Sequence, residues 1–462
     1  MFTTYKTLLI LLVLSVIVVS CRDKDNDYSA YFGGEVQNPR TDYVILSKGN
    51  NVIDTIPLDK NNRFFVKFDS LTPGLYTFRH EPEYQYVYFE KNDSLLVSLN
   101  ADDFDQSIVF SGRGDRKNNF LMELYLMNEA DRNDSYRIYE YDYNKFIAEI
   151  NRSYAAREAF YKKNKEKIDW SDEFDFYAQN RLKFSQYTKK EYYPYLHTWR
   201  TGNTASLPKG YYNHRSTIDY NNPKLLHFSP FLRYLNAMLT NMSNFKGQRS
   251  SNIEESSLND NIEKLHIADS VFTDENIKND ILDNIAFAYL LENQSTQNNK
   301  KFIDHYIKLS TNKNKENEIM RLAASIKNLE EGNALPQVTL VDKDNKPYNL
   351  ANAKGKETVI FFWTTCAPSH YNQANEKVSG LKKQFPDVNF IAVNVDEMSD
   401  WVSAVKNLTC KDIIHLRASD FNLVRKKWAV NQLNRTILLN ADGTIKNGFT
   451  NLTDESFAEN LK

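Results

Sequence analysis

The spacing of apolar residues changes twice along this chain, and the two changes set what it can fold into. From Tyr43 to Phe110 short runs alternate apolar with polar positions: Tyr43-Val44-Ile45-Leu46, Phe64-Phe65-Val66-Lys67-Phe68, Leu75-Tyr76-Thr77-Phe78, Tyr86-Val87-Tyr88-Phe89, Leu95-Leu96-Val97-Ser98-Leu99 and Ile108-Val109-Phe110. Gly, Pro, Asn and Asp separate them, so regularly spaced strands are expected to form a small β-sandwich. From about Asn118 to Glu331 the period is helical. Phe120, Leu121, Leu124, Tyr125 and Met127 make one stripe; Ile281, Leu282, Ile285, Phe287, Ala288 and Leu291 make another. Pro194, Pro208, Pro223 and Pro230 are expected to mark turns between helices. Gly332 is expected to end a last helix over Lys313–Glu330. Beyond it, the apolar runs Val359–Trp363 and Val388–Val395 alternate with helical repeats at Tyr371, Ala374, Val378, Leu381 and Phe385 and at Trp401, Val402, Val405 and Leu408. That order belongs to an α/β sheet covered on both faces. The run Ile437-Leu438-Leu439-Asn440, the turn Ala441-Asp442-Gly443 and Thr444-Ile445 read as a β-hairpin, with a short helix from Asp454. The 462 residues suffice for about three domains at roughly 150 residues each.

The N-terminus predicts export. Leu8 to Val19 is apolar except for Ser15, too short for the ~20 residues of a permanent spanning helix but suited to a signal-peptide core. Val18-Val19-Ser20-Cys21 follows, and small or branched residues before a cysteine resemble the bacterial lipobox. That resemblance implies cleavage before Cys21 and lipidation of Cys21, so that the membrane is a partner through the lipid. Residues 1–20 are then the signal peptide and 21–40 a lipidated tether, opening on the polar stretch Arg22-Asp23-Lys24-Asp25-Asn26-Asp27. The expected location is the bacterial envelope: outer membrane facing the periplasm, or cell surface. With a formal net charge of −2 and no basic stripe, nucleic acid is excluded as a partner. Three cysteines, one assigned to lipid, exclude a disulfide-stapled scaffold.

Two resemblances extend this outline. The turn before Phe64, then Pro73-Gly74-Leu75-Tyr76, then Gly112-Arg113-Gly114 with Asn118-Asn119-Phe120-Leu121, resembles an uncharacterised β domain placed ahead of thioredoxin-like modules in envelope lipoproteins. Residues 334–462 resemble the TlpA-like branch of the thioredoxin family, membrane-tethered thiol-disulfide oxidoreductases. The landmarks are Ala334-Leu335-Pro336, Thr339-Leu340-Val341-Asp342, the strand Val359–Trp363 with Cys366, and the closing hairpin. The expected fold class is therefore multidomain: a β-sandwich over 41–115, an all-helical domain over 116–332 and an α/β thioredoxin-like fold over 333–462.

The resemblance also locates what is missing. The family motif places two cysteines on the first helical turn, one to attack a disulfide and one to resolve the mixed disulfide. Here Phe362-Trp363-Thr364-Thr365-Cys366-Ala367-Pro368-Ser369 keeps the first cysteine and the proline, with one residue fewer and Ser369 at the resolving position. The family's cis-proline falls on Asn434, in Val430-Asn431-Gln432-Leu433-Asn434-Arg435-Thr436. A cis bond before a non-proline costs ~3 kcal/mol, so this substrate loop, Asn434-Arg435, is expected to be trans and reshaped. Cys410 is expected too far from Cys366 for a disulfide, which needs Cα atoms within roughly 7 Å. Three readings of Cys366 stay open. It is a monothiol nucleophile favoured by the helix N-terminus, with His370 adding charge when protonated and Trp363 and Pro368 around it. It is a dithiol partner of Cys410. Or it is a small buried remnant in a scaffold that binds a peptide, a glycan or an envelope partner, with the aromatic helical region as a groove. His197, His214, His227 and His266 lack metal-ligand spacing and are expected to be structural or at the surface; neither a metal nor a cofactor is expected.

Overall fold

A computed structural model describes residues 28–461 except 50, 82, 247–252, 293–294, 366–367, 397–400, 407–412 and 431. It forms two compact units: Met1–Glu129 with Tyr161–Tyr177, and Ala130–Phe160 with Ala178–Lys462.

The first unit is a sandwich of two four-stranded sheets. Its strands are β1 (Ala30–Gln37), β2 (Tyr43–Lys48), β3 (Asn51–Pro57), β4 (Arg63–Phe68), β5 (Gly74–His80), β6 (Glu83–Phe89), β7 (Ser94–Asn100) and β8 (Val109–Arg113), ordered β4-β1-β7-β8 and β3-β2-β5-β6. The alternating residues point inward as expected. Phe32 of β1 meets Phe78 and Phe89 of the other sheet edge to face, with centroids 6.0 and 5.6 Å apart. One boundary is corrected. The segment expected as tether over 21–40 contains β1, a central strand antiparallel to β4 and parallel to β7. The expected tether rests on the polar residues after Cys21, but the strand begins at Ala30, and Gly33 and Gly34 within it allow the pairing. A Cβ on Gly34 would lie 2.0 Å from the carbonyl oxygen of Val97.

A short helical turn α1 (Phe104–Ser107) links β7 to β8, and between the sandwich and the α/β domain the chain is mainly helical: α2 (Asp115–Asp134), α3 (Tyr143–Lys165), α4 (Asp172–Thr201), α5 (Ser229–Lys246), α6 (Ile253–Val271), α7 (Glu275–Glu292), α8 (Thr296–Leu309) and α9 (Lys313–Asn328). At the start of α2, Asn118 and Asn119 act as side-chain strands. Asn118 accepts from the Tyr88 N–H at 2.7 Å and donates to its carbonyl at 3.0 Å, and Asn119 does the same for Phe110 at 2.9 and 2.8 Å. A second expectation is corrected at Pro194, which lies inside α4 rather than between helices. A helical proline frees the carbonyl four residues back. The Tyr211 hydroxyl donates to that carbonyl, on Lys190, at 2.8 Å, so the helix runs through.

The C-terminal domain is a seven-stranded sheet ordered β10-β9-β13-β12-β11-β14-β15. Its strands are β9 (Leu340–Val341), β10 (Pro347–Tyr348), β11 (Thr358–Trp363), β12 (Asn389–Asn394), β13 (Ile414–Ala418), β14 (Arg435–Leu439) and β15 (Ile445–Asn451), and its helices are α10 (Pro368–Gln384), α11 (Trp401–Lys406) and α12 (Phe421–Lys427). Strands β11, β12 and β13 are parallel and β14 and β15 close antiparallel beside them. Every residue of β11 is buried. Val359, Phe361 and Trp363 pack with Tyr371, Ala374 and Val378 of α10, while Phe362 on the opposite face meets Trp428. The hairpin turns where expected, with Gly443 at φ +88°.

Candidate functional site

Parallel strands expose their carboxyl ends together, and ligands of open α/β sheets bind at that edge. Here the pairing of Trp363 with Asn394 and the bond from the Val395 N–H to the Trp363 carbonyl, 3.0 Å, set the ends of β11 and β12 side by side. Asp396, two residues past β12, fixes the segment leaving β11. Its carboxylate accepts from the Thr364 hydroxyl, from the Thr365 N–H at 2.8 Å and from the Asn394 amide at 2.8 Å, while its own N–H donates to the Asn394 side-chain oxygen at 3.1 Å. These bonds brace both strand ends directly before residue 366. In the sequence Asp396 is visible only as the polar end of an apolar strand.

Cys366 lies outside the described residues, as do Cys21 and Cys410. Pro368 is the first residue of α10, where a missing N–H leaves no helical bond unmade. Ser369 follows on that first turn. The N–H groups there make an electropositive end that stabilises a thiolate. His370 comes next on the same turn. Its ring is half-buried, burial lowers its pKa below 6.5, and Nδ1 is buried without a hydrogen-bond partner. Burial therefore disfavours the protonated form on which the expected charge depends.

Trp363, expected beside Cys366, is part of the core. Its ring stacks on Tyr371 with centroids 4.0 Å apart and planes 17° from parallel, and its Nε1 is buried without a partner. The Tyr371 hydroxyl lies 3.4 Å from Nδ1 of His415 on β13, an imidazole whose pKa burial pushes down to about 4.

Asn434 and Arg435 divide in role. Asn434, half-buried, precedes β14, and its carbonyl accepts from the Thr436 hydroxyl at 3.4 Å. The Arg435 guanidinium turns into the protein, only 7% of the residue remaining exposed. It donates to the Gly448 carbonyl at 3.2 Å and the Ala429 carbonyl at 2.8 Å, and lies 4.0 Å from the Phe449 ring centroid. Burial lowers its pKa to about 10. Arg435 therefore clamps the turn at Ala429, a residue at φ +48°, and the expectation that it belongs to the substrate loop is corrected for its side chain.

In the helical region a buried polar cluster surrounds Glu191. It accepts from Arg215 at 2.9 and 2.6 Å, lies 2.8 Å from Nε2 of His214 and accepts from Asn241 at 2.7 Å. Burial opposes its charge, but these bonds outweigh it and hold the pKa below 4.5. His197 Nδ1 sits 2.9 Å from the Tyr139 carbonyl. Among the described residues no group of three or more His, Cys, Asp or Glu is arranged to hold a metal, and no helix is long and apolar enough to cross a membrane.

The Redoxin family matches residues 330–461, so the C-terminal segment is a thioredoxin-like fold. Solved structures similar to this part include a candidate thiol-disulfide oxidoreductase from Bacteroides vulgatus (23% identity, 29% of this chain and 94% of that one, TM-score 0.26). Others are a secreted disulfide oxidoreductase from Mycobacterium tuberculosis (21%, 24% and 80%, 0.20) and a SCO1/SenC family lipoprotein from Bacillus anthracis (17%, 28% and 92%, 0.23). No curated relative matches the chain.

Proposed function

We propose that a Redoxin-type domain is carried here by a lipid-anchored envelope protein, tethered through Cys21, and that the domain has lost the dithiol cycle. Cys366 acts alone, as a monothiol that forms mixed disulfides with an envelope protein or peptide and depends on an external thiol for release. The observation that carries this reading is Ser369 on the first turn of α10, the turn on which the family motif sets its second thiol. A serine hydroxyl cannot displace a thiolate from a mixed disulfide, so resolution must come from outside the chain. The brace from Asp396 supports the same reading, because it holds the approach to Cys366 in one place. With the Arg435 guanidinium turned inward and burial disfavouring the charged form of His370, the helix terminus is left as the group that would lower the thiol pKa.

The test is a thiol titration with disulfide trapping on the protein lacking its first 21 residues. A Cys366 that alkylates rapidly at neutral pH, and trapped partners that vanish in Cys366→Ala, are the expected results. Slow alkylation with an unchanged set of partners in Cys366→Ala overturns this reading in favour of a non-catalytic scaffold.

A further inference from the structure

His266 on α6 and His305 on α8 are 39 residues apart in sequence, a separation that hides them from any search for ligand spacing. In the fold, Nε2 of His266 and Nδ1 of His305 approach to 3.3 Å, with the rings perpendicular and their centroids 5.4 Å apart. The His266 ring is exposed and that of His305 half-buried. Both are held from beneath: Leu265, Ile267 and Ala268 beside the first, and Phe302 and Tyr306 beside the second, are buried.

Two nitrogens bound to one tetrahedral zinc at ~2.0–2.1 Å stand about 3.3–3.4 Å apart. The observed separation matches that figure. We propose that His266 and His305 form a site for a divalent transition metal of the kind imidazole suits, zinc foremost, with copper and nickel as alternatives. His266 binds through Nε2 and His305 through Nδ1. Without metal, one of these nitrogens carries the proton it shares with the other. On binding, that ring passes to its other tautomer, and the second nitrogen of each ring carries the N–H. No third His, Cys, Asp or Glu completes a cluster here among the described residues, so the remaining positions belong to water or to an incoming ligand. The site joins α6 to α8, and metal binding therefore stabilises the helical region by linkage.

The experiment titrates the full-length chain in detergent with ZnCl2 by calorimetry, beside His266→Gln, His305→Gln and the double variant. The comparison is needed because thiols elsewhere in the chain also bind zinc. Wild type is expected to bind one equivalent more than the double variant, and its Tm to rise with zinc where that of the double variant rises less. Each single variant is expected to weaken this equivalent by about tenfold or more, since losing an outer-shell partner alone costs about tenfold. A double variant that binds zinc like wild type, or a single variant that keeps full affinity, overturns the proposal. If a variant fails to fold, electron paramagnetic resonance of wild type with one equivalent of Cu2+ decides. Coupling to two imidazole nitrogens supports the site, and coupling to one or none overturns it.

Discussion

At the scale of single residues, Asp396 does more than its place in the sequence suggests. Its carboxylate is the shared acceptor for Thr364, Thr365 and Asn394. Asp396→Ala strands those donors at the end of β11, and the expected loss is about 2 kcal/mol, as for hydrogen bonds to a charged group. Asp396→Asn, whose side-chain oxygen still accepts, should lose roughly half as much. Urea unfolding of both variants checks the order, and equal losses would show that the brace is not hydrogen bonding. The sequence could single out Cys366, Ser369 and Asn434 because resemblance is carried by identity along the chain. It could not mark Asp396, which gains its role from parallel pairing with a strand some thirty residues earlier. Nor could it tell that Arg435 turns inward, since an arginine after a loop looks the same whichever way it points.

At the scale of elements, both corrections fall on elements that contain residues which usually end structure. β1 carries Gly33-Gly34 and α4 carries Pro194, yet each is matched by a neighbour: the close backbone of Val97 for the first, the Tyr211 hydroxyl for the second. The proline case gives a quantitative expectation. Tyr211→Phe leaves the Lys190 carbonyl without its donor and should cost about 1 kcal/mol. In a Pro194→Ala background the restored helical N–H can serve that carbonyl, so the same substitution should cost less, with a coupling of about 1 kcal/mol in a double-mutant cycle. Additive losses would mean that Tyr211 contributes by packing alone. Strands such as β5, β7 and β11 and the helix α10 were legible because period and burial agree there, whereas the largely exposed β3 and the short α12 gave no such signal. A glycine pair or an internal proline breaks that agreement locally, and only a partner from elsewhere in the fold repairs it.

At the scale of the whole molecule, the order β-sandwich, helical region and α/β domain follows from the two changes of apolar period, whereas the compact units do not. The divisions fall inside α2, α3 and α4, where no change of composition marks them. The α/β domain likewise begins before its first strand. Gly332 donates to the Ile445 carbonyl and Ile445 to that of Asn333, each at 2.8 Å, while the Trp428 indole donates to the Pro336 carbonyl at 2.7 Å. A fragment of residues 330–462 keeps these bonds; one of residues 340–462 leaves the indole of buried Trp428 unpaired. The shorter fragment should melt at least about 4 °C lower, the shift expected for about 1 kcal/mol in a domain near this size. Circular dichroism melts of the two compare them directly, and equal Tm values would mean that the leading segment adds nothing.

The place of β1 has a mechanical consequence. It is the first described strand after the N-terminal segment, and it is hydrogen-bonded on both sides, to β4 and to β7. Tension applied to that end and directed along the strand would load both ladders together in shear instead of peeling bonds one by one. The sandwich is thereby built to resist a pull on the N-terminus before any helix beyond it bears force.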